Sequence, residues 1–467
     1  MPRSTTLLHS DVVVVGGGVA GVAAAIAAAK TGAKTTLVEA GPMFGGELLT
    51  GMCINGGLNA RGQYVNGGVA RELYDECAKM GGLIGPVHDF RLICYVVLDP
   101  EIVKIAIPTL LDRYGVSPLL YSFADDVVME GNRVRGILVG SRDQRWLLTA
   151  DFFIDCSGDG TVAVMAGASY ELGDVNGTLQ PLSIMYRMCG VENGPLLSFV
   201  RDHPENLALG ESDYIRAGRT DAQLAEELYK QGEAAVFFKA NGPLLQNAFR
   251  RGELFPTALI MLYPTSHARK EVCVNVTRVA ENIDGTKTDQ VSRVLPRLMQ
   301  QVMISACFVK KNIPGFENAA ISAIAPRIGI RETRRIVGEA KLTGDDARCA
   351  RKREDGVAKG ACHIDIHGAG QEQIRIPVGN GGSYDVPWGC LLPKNLSNVY
   401  IAGRCLSSDR EGHGTGRNMG NCLGMGHAVG TAAALSVAGG LRDIRDLPVQ
   451  RLRAVLKEQG AILDGVY

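Results

Sequence analysis

Val12 to Val15 is an unbroken run of β-branched residues followed by three glycines, the pattern of a parallel strand buried on both faces. Val19 to Lys30 is alanine-rich and helix-forming, and Gly32 stands where a helix C-cap belongs. Residues 34–39 return to a strand pattern, so the chain opens with a β-α-β unit of about 30 residues. Glycines interrupt this apolar stretch and no A-x-A site follows it, so neither a signal peptide nor a membrane span is expected. Residues 119–128 and 133–139 read as paired strands around Gly131-Asn132, and residues 147–155 as a strand entering a glycine turn.

From about residue 181 to 385 the pattern changes. Polar helical stretches at 221–229 and 233–240 precede strands at 258–263 and 271–279, and a long helical pattern covers 288–311. Residues 399–402 then resume the short buried-strand pattern, and 421–437 form a small-residue helix, as though the chain re-enters its first domain. The expected fold is α/β: a discontinuous Rossmann-like nucleotide domain, residues 1–180 and 385–467, with an inserted α+β substrate or cap domain, residues 181–384.

A length of 467 residues allows two or three domains, and 46% apolar with 21% charged residues fits a folded chain rather than a disordered or fibrous one. The 49 basic residues balance the 49 acidic ones, so no net field draws the protein to nucleic acid or to an anionic membrane; the expected partner is a small molecule, with self-association left open. Glycine is over-represented, 58 residues without a collagen period, which implies many close backbone approaches. The 12 cysteines contain no C-x-x-C pair, so no metal site is expected and a reducing cytoplasm fits best.

Gly16-Gly17-Gly18-Val19-Ala20-Gly21 satisfies G-x-G-x-x-G between the first strand and the first helix. Gly16 permits the tight turn, Gly18 lets a pyrophosphate approach the backbone, and Gly21 lets helix pack on strand. The helix start at Val19 and Ala20 offers unpaired N–H groups and a positive dipole to phosphate. Glu39, followed by Ala40, ends the second strand, where a carboxylate accepts from both ribose hydroxyls and disfavours a 2′-phosphate. These features alone leave NAD, NADP and FAD open.

Three later segments discriminate. Residues 152–160, with Ser157, Gly158 and Asp159, resemble the strand and turn that many FAD enzymes place below adenine and pyrophosphate. Residues 399–404, with Gly403 and Arg404, resemble their late strand and flavin-side turn. Gly420, Asn421 and Cys422 open the last helix, whose dipole would stabilise negative charge at the flavin N1 and C2 carbonyl. With the blocks at 44–51, 274–279, 329–338 and 390–393, the chain resembles FAD-dependent oxidoreductases of the glutathione-reductase superfamily, in the branch of fumarate reductase and succinate dehydrogenase flavoproteins. The resemblance implies an extended FAD, with Gly45, Gly46, Glu47 and Thr50 beside the flavin and the Ala124 backbone at the adenine end. No histidine lies in residues 45–59, where some relatives attach FAD covalently, so a non-covalent flavin is expected.

Residues 413–421 resemble the fumarate-reductase stretch in which an arginine after His-Gly grips a substrate carboxylate, which makes Arg417 the first candidate site residue. Its alternative is an arginine bonded to the carbonyls of its own loop. His413 is a candidate proton donor or carbonyl-polarising group, or a loop-packing residue. Arg331 reads as a flavin or substrate contact, or as part of an ion-paired helix start. Cys53 reads as a buried inert thiol. The expected activity is hydride transfer between flavin N5 and a small organic substrate, as dehydrogenation or reduction at a carbon next to a carbonyl or carboxylate. Alcohol oxidation, flavin-dependent tRNA modification and a non-catalytic flavin redox sensor are the alternatives. The electron donor or acceptor stays open, because no second strand-bound dinucleotide fingerprint is present.

Overall fold

The computed structural model describes residues 4–368 and 370–465. Five parallel strands form its central sheet, in the order Val399–Ile401, Phe152–Asp155, Val12–Val15, Thr35–Val38, Ser117–Leu119. Val14 lies between Ile154 and Leu37 in this register, and the strands of residues 12–15, 35–38, 152–155 and 399–401 are buried throughout, as continuous apolar runs require. The helix Val19–Lys30 crosses from the third strand of this order to the fourth and packs on the late helix Met419–Ala438. A Cβ on Gly426 would fall 2.2 Å from the Ala20 carbonyl oxygen, so the small residues of the late helix are there to let two backbones touch.

Two expected strands are each divided between sheets. Residues 119–128 separate into Ser117–Leu119 in the parallel sheet and Phe123–Glu130, which pairs antiparallel with Arg133–Gly140. Residues 147–155 likewise separate into Arg145–Thr149 and Phe152–Asp155, with the exposed Asp151 carrying the chain from one sheet to the other.

The insertion is built on a five-stranded antiparallel sheet, in the order Val236–Lys239, Leu259–Ser266, Glu271–Asn275, Tyr186–Cys189, Ala320–Ile324. The helix Thr288–Asn312 buries Val294, Leu298, Val302 and Val309 on one side, and its Ser305 hydroxyl meets that of Tyr186 at 3.0 Å. Residues 233–240, expected to be helical, are instead strand at Val236–Lys239: Val236, Phe237 and Phe238 are buried, and pairing with Leu259–Ser266 overrides the local helical pattern. The insertion also ends earlier than residue 384. Its core takes residues from Leu182 to Ala319, together with Ala60, whereas Leu342, Val357, Ala358, Tyr384 and Val386 belong to the core of the first domain. Charged residues at 352–355 hide this return in the sequence, and the antiparallel pair Gly356–Gly360 with Tyr384–Pro387 carries it. Among the described residues no helix is long and apolar enough to cross a membrane.

Candidate active site

A cleft of about 420 Å³ runs from the C-terminal ends of the parallel strands to the insertion. At its floor the strand Val12–Val15 turns at Gly16, whose φ of +97° and closeness to the Cys156 carbonyl forbid a side chain: a Cβ would stand 2.4 Å from that oxygen. A Cβ on Gly21 would stand 1.7 Å from the Gly16 carbonyl oxygen, which is the helix-on-strand contact expected of it. Gly18 differs from both. No protein atom lies within 4 Å of a Cβ built there, yet Gly18 lines the cleft and caps a helix with no side chain over its N–H groups. Space and donors are both left for a phosphate group, with Val19 and Ala20 in the lining.

Glu39 anchors the same turn. Its carboxylate accepts from the Gly17 amide at 2.7 Å and from the Gly41 amide at 2.6 Å, and it lines the cleft beside Ala40 and Ala124. Each carboxylate oxygen keeps acceptor capacity for a ribose hydroxyl. On the opposite wall Ser157 donates to the buried Asp155 at 2.7 Å and receives the Thr161 amide, which fixes the Ser157-Gly158-Asp159 turn. Asp159 accepts from Arg404 at 2.7 Å and from Thr333 at 2.8 Å, tying that turn to Gly403 and Arg404. All five of these turn residues line the cleft.

Further along stand Glu47, Met52 and Cys53, facing Asn418, Met419 and Cys422 at the start of the late helix. Gly45, Gly46, Thr50, Gly420 and Asn421 are not among the residues lining the cleft, although the half-buried Gly46 stands beside Gly18 and Arg327, which are. Gly45 donates to the Gly17 carbonyl at 2.7 Å, Thr50 to the Glu47 carbonyl at 2.8 Å, and Asn421 to the Tyr384 hydroxyl at 2.7 Å, so they shape the loops that present the lining residues. Burial, and then Asp89, push the Cys53 thiol well above its ordinary value, so it faces the cleft as a neutral thiol.

The wall nearest the insertion is polar. Arg417 and Arg331 both line it. Arg331 donates to the Pro181 carbonyl at 2.7 Å, and burial, with the charges of Arg278 and Arg417, pulls it down to about 9. Arg417 donates to the Asp365 carbonyl at 3.1 Å, while its Nε has no protein partner among the described residues. Asp365 and His367 sit on the strand Ile364–His367. Arg278, which can only donate, lies 2.7 Å from His367 Nδ1, so that nitrogen is an acceptor and the ring proton is on Nε2, 2.8 Å from the Asp365 carboxylate. Burial lowers His367 to about 3, and His363, one strand repeat before Asp365, to about 4; both rings are neutral at neutral pH.

Sequence reasoning missed His363, Asp365 and His367. Their signal is the alternation His-Ile-Asp-Ile-His: polar residues line the cleft and Ile364 and Ile366 enter the core, as a half-buried strand dictates. His413, expected near the substrate, is placed elsewhere. It is fully buried, it is not among the residues lining the cleft, and its Nε2 donates to the Arg404 carbonyl at 3.1 Å, so it braces the turn at Gly403 and Arg404.

Gly16, Gly18, Glu39, Ala124, Ser157 and Gly403 line one continuous cleft, and the open space at Gly18, the uncapped helix and the Glu39 carboxylate leave room and partners for a dinucleotide such as FAD. Among solved structures the chain is similar to a geranylgeranyl bacteriochlorophyll reductase-like protein from Thermoplasma acidophilum, at 13% identity and a TM-score of 0.48, over 97% of this chain and 85% of that one. It is similar to a flavin-dependent brominase at 13% identity and a TM-score of 0.48, over 96% and 83%. It is also similar to p-nitrophenol 4-monooxygenase from Pseudomonas putida at 11% identity and a TM-score of 0.48, over 97% and 84%. A family model described as FAD-dependent oxidoreductase matches residues 11–456, and the chain belongs to that family, an enzyme family with FAD as its cofactor.

Proposed function

We propose that this FAD-dependent oxidoreductase dehydrogenates or reduces a small organic substrate at a carbon next to a carboxylate or carbonyl, in the manner of the fumarate-reductase branch that residues 413–421 resemble. One observation carries the reading. Arg331 and Arg417 share a wall of the cleft with Arg278 behind them, three guanidiniums set against the carboxylates of Asp365 and Glu47, and their mutual repulsion adds to burial in pulling Arg331 below its ordinary value. A buried surplus of positive charge is relieved by an anion, and a substrate carboxylate there gains about 1.5–3 kcal/mol from each charge-assisted bond.

FAD, when bound, supplies hydride acceptance and donation. The chain's own groups do the rest. Arg417 orients the carboxylate with its unpaired Nε edge, and Arg331, fixed by the Pro181 carbonyl, holds the second oxygen. His363 lines the cleft, and its Nε2 makes no hydrogen bond to another described residue, so this neutral ring takes or returns the substrate proton. An anion bound nearby raises the basicity of that ring. Met185, Phe237, Met261 and Tyr263 of the insertion line the cleft and make it less hospitable to water beside the reacting atoms.

FAD is held without a covalent bond, since residues 45–59 contain no histidine; acid-precipitated protein should release its flavin into the supernatant. The test of the reading is Arg417→Lys. Lysine keeps the charge and loses the fork, so the protein should stay yellow while turnover of an accepted carboxylate falls about 10- to 100-fold. Full activity in that variant removes Arg417 from the site.

A further inference from the structure

Beyond the guanidinium wall the cleft changes character. Tyr95, from the strand Cys94–Leu98 of the first domain, and Phe237 and Tyr263, from the sheet of the insertion, line it together, and all three are at most 4% exposed. They form an edge-to-face ladder: Tyr95 and Tyr263 have centroids 5.7 Å apart at 80°, and Phe237 and Tyr263 lie 5.5 Å apart at 71°. Rings locked in this geometry keep a cavity open instead of collapsing into it. Met185 and Met261 complete an apolar lining.

The polar atoms here are few and poorly served. Tyr263 donates only to the Met261 sulfur, at 3.3 Å, and the buried Tyr95 hydroxyl has no partner among the described residues. The nearest carboxylate in the lining, Asp89, is capped by three backbone amides, those of Arg91, Leu92 and Ile93, and would repel a second anionic group. Arg91 lies over Phe237, 5.3 Å from the ring centroid, but Glu211 at 2.9 Å and Asp89 already answer its charge, so a second carboxylate here would lose hydration and meet these two acids in return for the Arg91 Nη2, whereas an apolar body gains about 25 cal/mol for each Å² it buries.

We infer that the substrate is a carboxylate with an apolar, aryl-sized body: the anionic end at Arg417 and Arg331, the body among Tyr95, Phe237, Met261 and Tyr263. This rests on the proposed role of Arg417 and narrows it, since it excludes small dicarboxylates.

Titration of the FAD-loaded enzyme with sodium cinnamate and with sodium fumarate, read by the visible flavin band, tests it. Cinnamate should bind at least about tenfold more tightly. Phe237→Leu, which keeps an apolar core residue, should weaken cinnamate about threefold or more and leave fumarate unchanged. Fumarate binding as tightly as cinnamate, or cinnamate affinity indifferent to Phe237→Leu, overturns this inference and leaves the role of Arg417 standing. Cinnamate affinity that is the same in Arg417→Lys, or no response to either acid, overturns the role of Arg417 and this inference with it.

Discussion

Arg417 approaches Asp365 twice, with Nη2 3.1 Å from the backbone carbonyl oxygen and 3.4 Å from the carboxylate. The contact orients the guanidinium and offsets part of its charge, while the same carboxylate also receives His367 at 2.8 Å and Gln373 at 2.6 Å. Asp365 is held well below the ordinary carboxylate range even though burial opposes this; His367, His363 and Arg417 do it. Asp365→Asn keeps the shape and removes the charge. It should tighten binding of a carboxylate probe about fivefold, the worth of one charge at partly screened distance, while turnover falls. Isothermal titration with cinnamate checks it, and unchanged or weaker binding means that Asp365 does not set the field of the anion site.

Gly18 and Gly21 belong to one motif but fail in different ways when substituted. The place of a Gly18 Cβ is empty of protein atoms within 4 Å, and the residue has an ordinary φ of −74°, so Gly18→Ala should fold normally and lose flavin, with the ratio of visible to protein absorbance falling at least about tenfold. Gly21→Ala drives a methyl to 1.7 Å from the Gly16 carbonyl oxygen and should cost about 3 kcal/mol or more of stability, seen as a lowered thermal midpoint even without FAD. A Gly18→Ala protein as yellow as the parent would show that the pyrophosphate lies elsewhere.

The nucleotide half of the site was legible because its chemistry is local. Gly16, Gly18, Gly21 and Glu39 lie on one β-α-β unit, where spacing alone fixes geometry. Arg417 was reachable through a contiguous motif. Of the rest of the substrate wall only Arg331 was reachable, since His363, Asp365 and Tyr95 come from distant segments and share the cleft only in the folded chain. Val236–Lys239 was misread for a related reason: its strand pairing is with a segment some 20 residues on, and no pattern inside the segment reports it. Gly45, Thr50 and Asn421 show a third limit, since a motif marks the loop but not which of its atoms turns toward the ligand.

His363 lines the cleft and His413, the expected candidate, does not, and one comparison separates them. His413→Gln loses the bond to the Arg404 carbonyl, so stability should drop by about 1 kcal/mol while the rate at which an accepted carboxylate bleaches or restores the flavin band changes less than about threefold. His363→Gln should keep FAD and lower that rate about 100-fold, the usual worth of a positioned acid or base. A large rate loss in His413→Gln with normal stability and flavin content would return His413 to the chemistry.

Burial of neutral histidines also sets the acid limit of the fold. His363 and His427 are lowered to about 4 and His367 to about 3, each chiefly by burial. Because these folded values lie below the unfolded value of about 6.5, the unfolded chain takes up the protons first as pH falls. Their contribution is therefore intact above about pH 6.5 and is lost between there and about pH 4, at about 1.4 kcal/mol per pH unit for each ring. Glu271 and Asp174, both lowered to about 2, extend the loss to lower pH, and Asp155, raised by burial, works against it. His427 isolates the effect, since it lies outside the cleft, bonded to Gln459 at 2.8 Å, with Lys30 and Glu72 as its charged neighbours. His427→Gln should reduce the loss of stability between about pH 6.5 and about pH 4 by about 1.4 kcal/mol per unit. Urea unfolding followed by circular dichroism at several pH values measures that slope, and parallel curves for variant and parent would mean that His427 is not held neutral in the folded protein.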